Sequence, residues 1–470
     1  MKAFTEPLLS LAGFEEMTKT AEKSSGLISV TGCIDAQKSQ MIYAFGGHRK
    51  NKLIVTFGEQ KAKELYDEYS FFDKEVVYYP SKDVLFYQSD IRGNLLTAER
   101  IRALKAIHEQ ERVTLVTTFD ALMNTMAPIE KMWENVLTLE QGQLLDLKEI
   151  QAALIRMGYE KEYQVQTMGQ FSVRGGILDV FPLTEENPIR IELWGDEIDT
   201  IRYFDCESQK SIENIDRVSI YPAAELVLSD EEKAGGIEKL KAEAKRVSDK
   251  LRKQMKTEEA HRVTVMADEL TEEWGELSMY AGMDAFLSYF FDERVGILDY
   301  FNPSDSLIFF DELTRCTEQG KLTETEFSES MKQRLAMGYI LPGQMNGLFT
   351  EKEIVAKLGK YSCIALAALD NKANGLHQLG SYGIHCQSVS PYNNSFELLI
   401  KDLKRYKKNG YRVILLSGSR TRAKRLSEDI TDQGITCFYT ENYDHELFEG
   451  QIMVCYGKVR RGFEYPILKF

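Results

Sequence analysis

Hydrophobic and polar residues follow two different rhythms along this chain. In its first part, short β-branched runs recur between helical stretches: Leu27–Val30, Leu53–Phe57, Val76–Tyr79 and Val113–Thr117. Their alternation with helices predicts a parallel sheet with helices on its faces. From about Pro128 the rhythm changes. Gln170 to Asp205 alternates residue by residue between Gly-rich turns, which predicts antiparallel hairpins, and a small helix precedes them at Leu147–Met157. Ser229 with Glu232 fits a helix-capping box, and Ile237, Leu240, Val247, Leu251 and Met255 form the apolar stripe that follows. The first rhythm then resumes at Leu307–Phe310 and Cys363–Leu369. A last unit starts near Ser388, with strands expected at Arg412–Leu416, Ile435–Tyr439, Gln451–Cys455 and Pro466–Phe470 and a helix at Arg420–Gln433. Met1–Thr20 reads as one short amphipathic helix carrying Leu8, Leu9, Leu11, Phe14 and Met17.

These elements define an α/β chain: a parallel-sheet domain, interrupted by a small α+β insertion and followed by a small α/β domain. The boundaries fall at 1–127, 128–216, 217–376 and 377–470. A chain of 470 residues is too long for one core, which agrees with several domains. No apolar run is long enough to span a bilayer, and the N-terminus lacks a signal-peptide pattern, so a cytoplasmic location is expected. Seven scattered cysteines, with no C-x-x-C and no Cys/His cluster, indicate neither a zinc site nor a disulfide framework. The net charge of −15 argues against strong duplex binding, because phosphate neutralisation supplies most of the affinity for DNA. The dense basic stretches noted, Arg420 to Arg425 and Lys404 to Lys408, read as solvated helix faces.

Three constellations carry possible chemistry. Gly32-Cys33-Ile34-Asp35-Ala36-Gln37-Lys38-Ser39 follows a strand with the spacing of a phosphate-binding loop, but Gln37 stands where the second glycine belongs. That glycine lets backbone N–H groups turn around phosphates without Cβ strain, and Asp35 adds a negative charge beside them. Gly32, Gln37, Lys38 and Ser39 therefore read as a degenerate loop rather than a working one. Asp311 and Glu312 end an apolar strand, as the Mg²⁺-positioning and water-orienting acids of an ATPase would. Any buried strand must exit into polar residues, so this pair gains meaning only if it meets Lys38. The third constellation is Gln170–Pro182 with Ile189–Glu197. Alternation sends Ile189, Ile191 and Leu193 into the small core and Arg190, Glu192 and Trp194 outward. An outward Trp among arginines is either a binding anchor or an indole lying over aliphatic stems on a solvated face.

The run Gly169–Pro182 with Ile189–Asp205 resembles the inserted domain shared by the excision-repair protein UvrB and bacterial transcription-repair coupling factors (Mfd). Tyr78-Tyr79-Pro80, Ala98–Arg102, Thr117–Leu122 and the strand ending at Asp311-Glu312 resemble flanking signatures of the same module, so the likeness runs from Gly26 to about Gly375. Gln37 departs from the intact loop of UvrB, and the segment between Pro80 and Ala98 is short and lacks the tyrosine-rich tip of the UvrB damage-gripping hairpin. Both departures favour the N-terminal region of the coupling-factor family. The resemblance implies a RecA/UvrB-like first domain without ATP hydrolysis, and a last unit like half of a helicase second lobe. It implies UvrA as partner, with the family's contact positions falling on Arg174, Arg190 and Trp194. It implies no catalytic residue, metal or cofactor here. The family's ATP- and Mg-dependent DNA translocase and its RNA-polymerase-binding domain would lie beyond Phe470. The alternative is a UvrB-like module that still binds ATP and DNA.

Overall fold

The computed structural model describes every residue except 46–49, 83–92, 277–281, 370–373 and 394. Two helices, Lys2–Leu9 and Phe14–Lys23, open the chain. They replace the single N-terminal helix expected from the sequence. The break comes at Gly13, whose φ of 81° no helix continues, and Leu9 is left exposed rather than buried. Strands β1 (Gly26–Thr31), β2 (Asn51–Thr56), β3 (Val76–Tyr79) and β4 (Thr114–Thr118) follow, with helices between them.

The chain then leaves this sheet. Strand β5 (Leu137–Glu140) leads into the helix Leu147–Arg156, whose Asp146 cap accepts hydrogen bonds from the Lys148 and Glu149 amides. Strands β6 (Glu160–Lys161), β7 (Gln170–Arg174), β8 (Ile177–Val180), β9 (Ile189–Trp194), β10 (Glu197–Phe204) and β11 (Ser211–Ile215) form one sheet in the order β11-β10-β9-β8-β7-β6. Strand β12 (Arg217–Ile220) returns to pair with β5. Tight turns at Gly175 and Gly195, with φ of 61° and 65°, close the β7–β8 and β9–β10 hairpins. Alternation then sorts the side chains: Phe171, Leu178, Val180, Ile189, Ile191 and Ile201 pack with Ile150 and Leu154 of the helix in a core of their own. The opposite face is left to charged residues.

The helix Asp230–Lys253 starts at the Ser229–Glu232 capping box as the sequence predicts, and packs against the helix Thr257–Glu276. Its buried stripe includes Leu240 and Leu251 but not Met255. The helix stops before Met255, which takes a left-handed φ of 62° and lies exposed. Strands β13 (Ser306–Asp311), β14 (Ser362–Leu366) and β15 (Gln378–Gly383) complete the first sheet in the parallel order β15-β1-β14-β13-β2-β4-β3. The two faces of this sheet feed two cores: Ile308 and Phe310 enter one, Leu307 and Phe309 the other. Burial on both sides is why these strands read as unbroken apolar runs. The architecture is mixed α/β and consistent with a RecA/UvrB-like fold. Its edge strand β15 lies past the division expected at residue 376.

In the last unit, β16 (Gln387–Ser388) pairs with a late strand, and β17 (Val413–Ser417), β18 (Phe438–Tyr439) and β19 (Ile452–Tyr456) make a parallel sheet in the order β17-β19-β18. The partner of β16 is β20 (Phe463–Glu464). The strand expected at Pro466–Phe470 is a turn instead, closed by Leu468 N–H to the Tyr465 carbonyl at 3.1 Å, and the one expected at Ile435–Tyr439 is confined to its last two residues.

Candidate functional site

The fold brings the two ATPase-like motifs together across 273 positions of chain. Strand β1 delivers the loop at Gly32 and β13 delivers Asp311, two strands apart in the same parallel sheet with β14 between them. Gly32 has φ of 77°, and a Cβ there would lie 2.1 Å from the Ile384 carbonyl oxygen, so only glycine fits. Its N–H and that of Cys33 donate to the Ala368 and Ala367 carbonyls at 3.3 and 2.9 Å. Two donors of the loop are thus spent on backbone. Gln37, Lys38 and Ser39 are all buried in the helix Asp35–Phe45. Among the described residues, neither the Gln37 carboxamide nor the Ser39 hydroxyl reaches a hydrogen-bond partner.

Lys38 faces three carboxylates. Its Nζ donates to Asp311 Oδ1 at 2.5 Å, Glu312 Oε1 at 2.9 Å and Asp35 Oδ1 at 3.1 Å. Two of the remaining oxygens are engaged as well: Asp311 Oδ2 accepts from Thr56 at 3.0 Å and Asp35 Oδ2 pairs with Lys61 at 3.0 Å. Burial alone would depress the Lys38 pKa, but Asp311 and Glu312 outweigh it and hold the ammonium charged well above the ordinary range. Glu312 sits at φ 61°, an unusual backbone for a non-glycine, and its Oε1 also accepts the Ala368 N–H at 3.1 Å. An open pocket beside this cluster is bounded by Asp35, Phe57, Lys61, Glu64, Glu312 and Arg315. Around it Asp35, Glu64, Asp311 and Glu312 face Lys38, Lys61 and Arg315, and Arg460 pairs with Glu64.

The outer face of the inserted sheet holds the other candidates. Register places Asp179 opposite Arg190, Ile177 opposite Glu192, and Arg174 opposite Ile177. Trp194 continues the Arg190–Glu192 side of β9 to the hairpin tip, where it pairs with Glu197. Arg174, Arg190 and Trp194 therefore share one face but not one degree of exposure. Trp194 is 83% exposed, the Arg174 side chain 35% and the Arg190 side chain only 13%. Arg190 is covered because Asp179 takes its Nε at 2.7 Å and Nη2 at 2.8 Å, Gln209 accepts from Nη2 at 2.8 Å, and the Phe204 ring lies 4.3 Å beneath it. Arg174 Nη2 reaches the same Asp179 carboxylate at 2.8 Å. Next to them Arg202 pairs with Glu192 and holds its carboxyl below the ordinary range. Leu193, expected in the core, is only half-buried at its edge.

Residues 137–226 match the family described as UvrB interaction domain. Over 418 residues, 88% of this chain, the sequence is 27% identical to the transcription-repair-coupling factor of Bacillus subtilis (strain 168). The coupling factor of Staphylococcus haemolyticus (strain JCSC1435) is 25% identical over 94% of the chain, and that of Staphylococcus aureus (strain MRSA252) 26% identical over 96%. The chain is homologous to bacterial transcription-repair-coupling factors. It spans little more than a third of the length of these relatives, 35% to 38%.

Within the homologous stretch, 137–226 runs from β5 through the whole inserted sheet and β12 to Leu226; the sequence pattern sets the insertion at 128–216. The end of this stretch carries a buried ion pair that no sequence motif announces. Arg100, fully buried in the helix Gly93–Glu109, donates through Nε to Glu225 Oε1 at 2.6 Å, through Nη2 to Oε2 at 3.1 Å and through Nη1 to the Pro80 carbonyl at 2.6 Å, and it also contacts the Tyr79 hydroxyl. Arg100 stands in one of the flanking signatures, but only the structure shows what it holds. Asp179 was equally missed as a functional residue, although period-2 alternation puts it on the face of the arginines. The short segment after Pro80, compared above with the UvrB hairpin, falls largely on residues 83–92, outside the described residues. No described helix is long and apolar enough to cross a membrane.

Proposed function

We propose that this chain is the docking part of a repair protein of the coupling-factor type, in which the outer face of the inserted sheet binds UvrA and the phosphate loop no longer takes nucleotide. One observation carries the docking reading: a nearly naked indole, Trp194, stands on a face with two hydrogen-bonded arginines, on a sheet whose other face packs a core. Large exposed aromatics beside arginines are the residues on which interface energy concentrates. RNA-polymerase binding and ATP-driven movement on duplex DNA belong, in this reading, to parts of the protein outside these residues. Titration of the chain with UvrA tests it: Trp194→Ala and Arg174→Ala should each weaken binding by about 2 kcal/mol, as expected for interface anchors. Undiminished affinity in both variants would remove the assignment.

A second reading, retained nucleotide binding, is favoured by the meeting of Lys38 with Asp311 and Glu312. Against it stand the engaged loop amides and the ammonium already bonded to three carboxylates. ATP and Mg²⁺ do not fit these residues as they stand: the phosphates would have to displace three carboxylates from Lys38. Saturable binding of a fluorescent ATP analogue, abolished by Lys38→Ala, would establish this second reading.

A further inference from the structure

We infer that Asp179 is a positioning residue for docking, and that it aims Arg174 and Arg190 at a carboxylate-bearing patch of the partner. The inference rests on the docking reading above. Asp179 sits on β8 between the two arginine-bearing strands, and its side chain is 2% exposed. It spans the Nε–Nη2 edge of Arg190 with both oxygens and takes one Nη2 bond from Arg174. With Gln209 on the second Nη2 hydrogen and the Phe204 ring below, Arg190 is held from three sides. Its Nη1 group and the Nε and Nη1 groups of Arg174 take no part in these bonds.

The guanidinium group is a rigid fork of five donors, so fixing one edge aims the others. Ordering such a long side chain on binding ordinarily costs affinity, and here the free protein already meets that cost. Charge identifies what the open edges suit. Two guanidinium groups share a single carboxylate, whereas the neighbouring Arg202 and Glu192 neutralise each other. The Arg174–Asp179–Arg190 cluster therefore keeps one positive charge that Asp179 does not neutralise, on a chain whose net charge is −15. A planar carboxylate, which accepts two parallel N–H bonds, is the matching group. Trp194 at the end of the same face would enter an apolar socket beside it.

The test is a titration of the 470-residue chain with purified UvrA at several salt concentrations. Asp179→Asn, which keeps the shape and removes the charge, should weaken binding about tenfold even though it leaves the face more positive and its binding no less salt-dependent, as expected when two guanidinium groups are no longer held in place. Arg174→Ala added to Asp179→Asn should cost less than Arg174→Ala does alone, because the two residues act as one unit. Parent-like affinity for Asp179→Asn, or full additivity, overturns the positioning role while a loss in Trp194→Ala keeps the docking face. Unaltered binding by Trp194→Ala and Arg174→Ala together removes the docking face itself. Should Asp179→Asn lose its cooperative melting transition, Arg174→Lys supplies the measurement. Its ammonium keeps the charge without the fork, so affinity is expected to fall about tenfold, and parent-like binding overturns the proposal.

Discussion

Three carboxylates converge on the Lys38 ammonium, and two of the four groups are almost wholly buried. In such a cluster the attraction must offset the desolvation of every member, so removing the one cation is far worse than never having built the cluster. Lys38→Met should lower stability by about 3 kcal/mol, read as an earlier main transition in urea, because Asp311 would be left charged and unpaired. Adding Asp311→Asn should restore part of the loss. A Lys38→Met protein as stable as its parent would mean that the cluster is not what holds β1, β13 and the loop in place. The two motifs were legible in the sequence, since loop spacing and an acid-ended strand are local signatures, but their meeting stood only as a condition. What was not legible is how each side chain is spent. Arg190 reads as an outward residue, yet partners from β8, β10 and Gln209 cover it, and no single-strand periodicity contains them.

Between elements, the buried contact of Arg100 and Lys82 with Glu225 joins the exit of the inserted domain to the end of β3. Burial would raise the Glu225 carboxyl above its ordinary 4.5, but Arg100 and Lys82 prevail and hold it down to about 2. The sign follows from that depression: folding stability gained through Glu225 is complete above about 4.5 and is lost as pH falls toward 2. Glu225→Gln should therefore lower stability at neutral pH and flatten the decline across that acid window. Urea midpoints measured against pH for parent and variant check this, and parallel curves would contradict it. The same scale shows which elements a sequence reveals. Capping at Ser229 and strands buried on both faces are written in contiguous residues, so both were found. The end of the long helix before Met255 and the turn at Pro466–Phe470 were not. In each, a left-handed residue, Met255 or Lys469, overrides an apolar pattern that would otherwise continue.

Across the whole molecule, the parallel sheet carries two appendages. The inserted domain has its own core, sends Leu183 and Tyr221 into a core of the first domain and is tied at its exit by an ion pair; the last unit shares an apolar cluster with the first domain. Phe4 and Phe72 from the first domain meet Leu447, Met453 and Cys455 from the last unit. The Phe4 ring lies 5.5 Å from Phe71, 5.8 Å from Phe72 and 6.1 Å from Tyr443. Polar ties at the rim, the N-terminal ammonium with Asp444 and Glu64 with Arg460, are exposed on at least one side and contribute little. The docking of the last unit then depends on this aromatic cluster and on Tyr465, which is buried in the core that Leu307 and Phe309 enter. Phe4→Ala should leave a cavity and cost about 3 kcal/mol at that junction. Because the loss falls on a contact between domains and not within either, the last unit should melt earlier and separately, seen by calorimetry as a new transition below the main one. Arg460→Ala should leave the melting profile almost unchanged. If instead Arg460→Ala splits the transition and Phe4→Ala does not, the junction is electrostatic, and the last unit would then loosen with added salt.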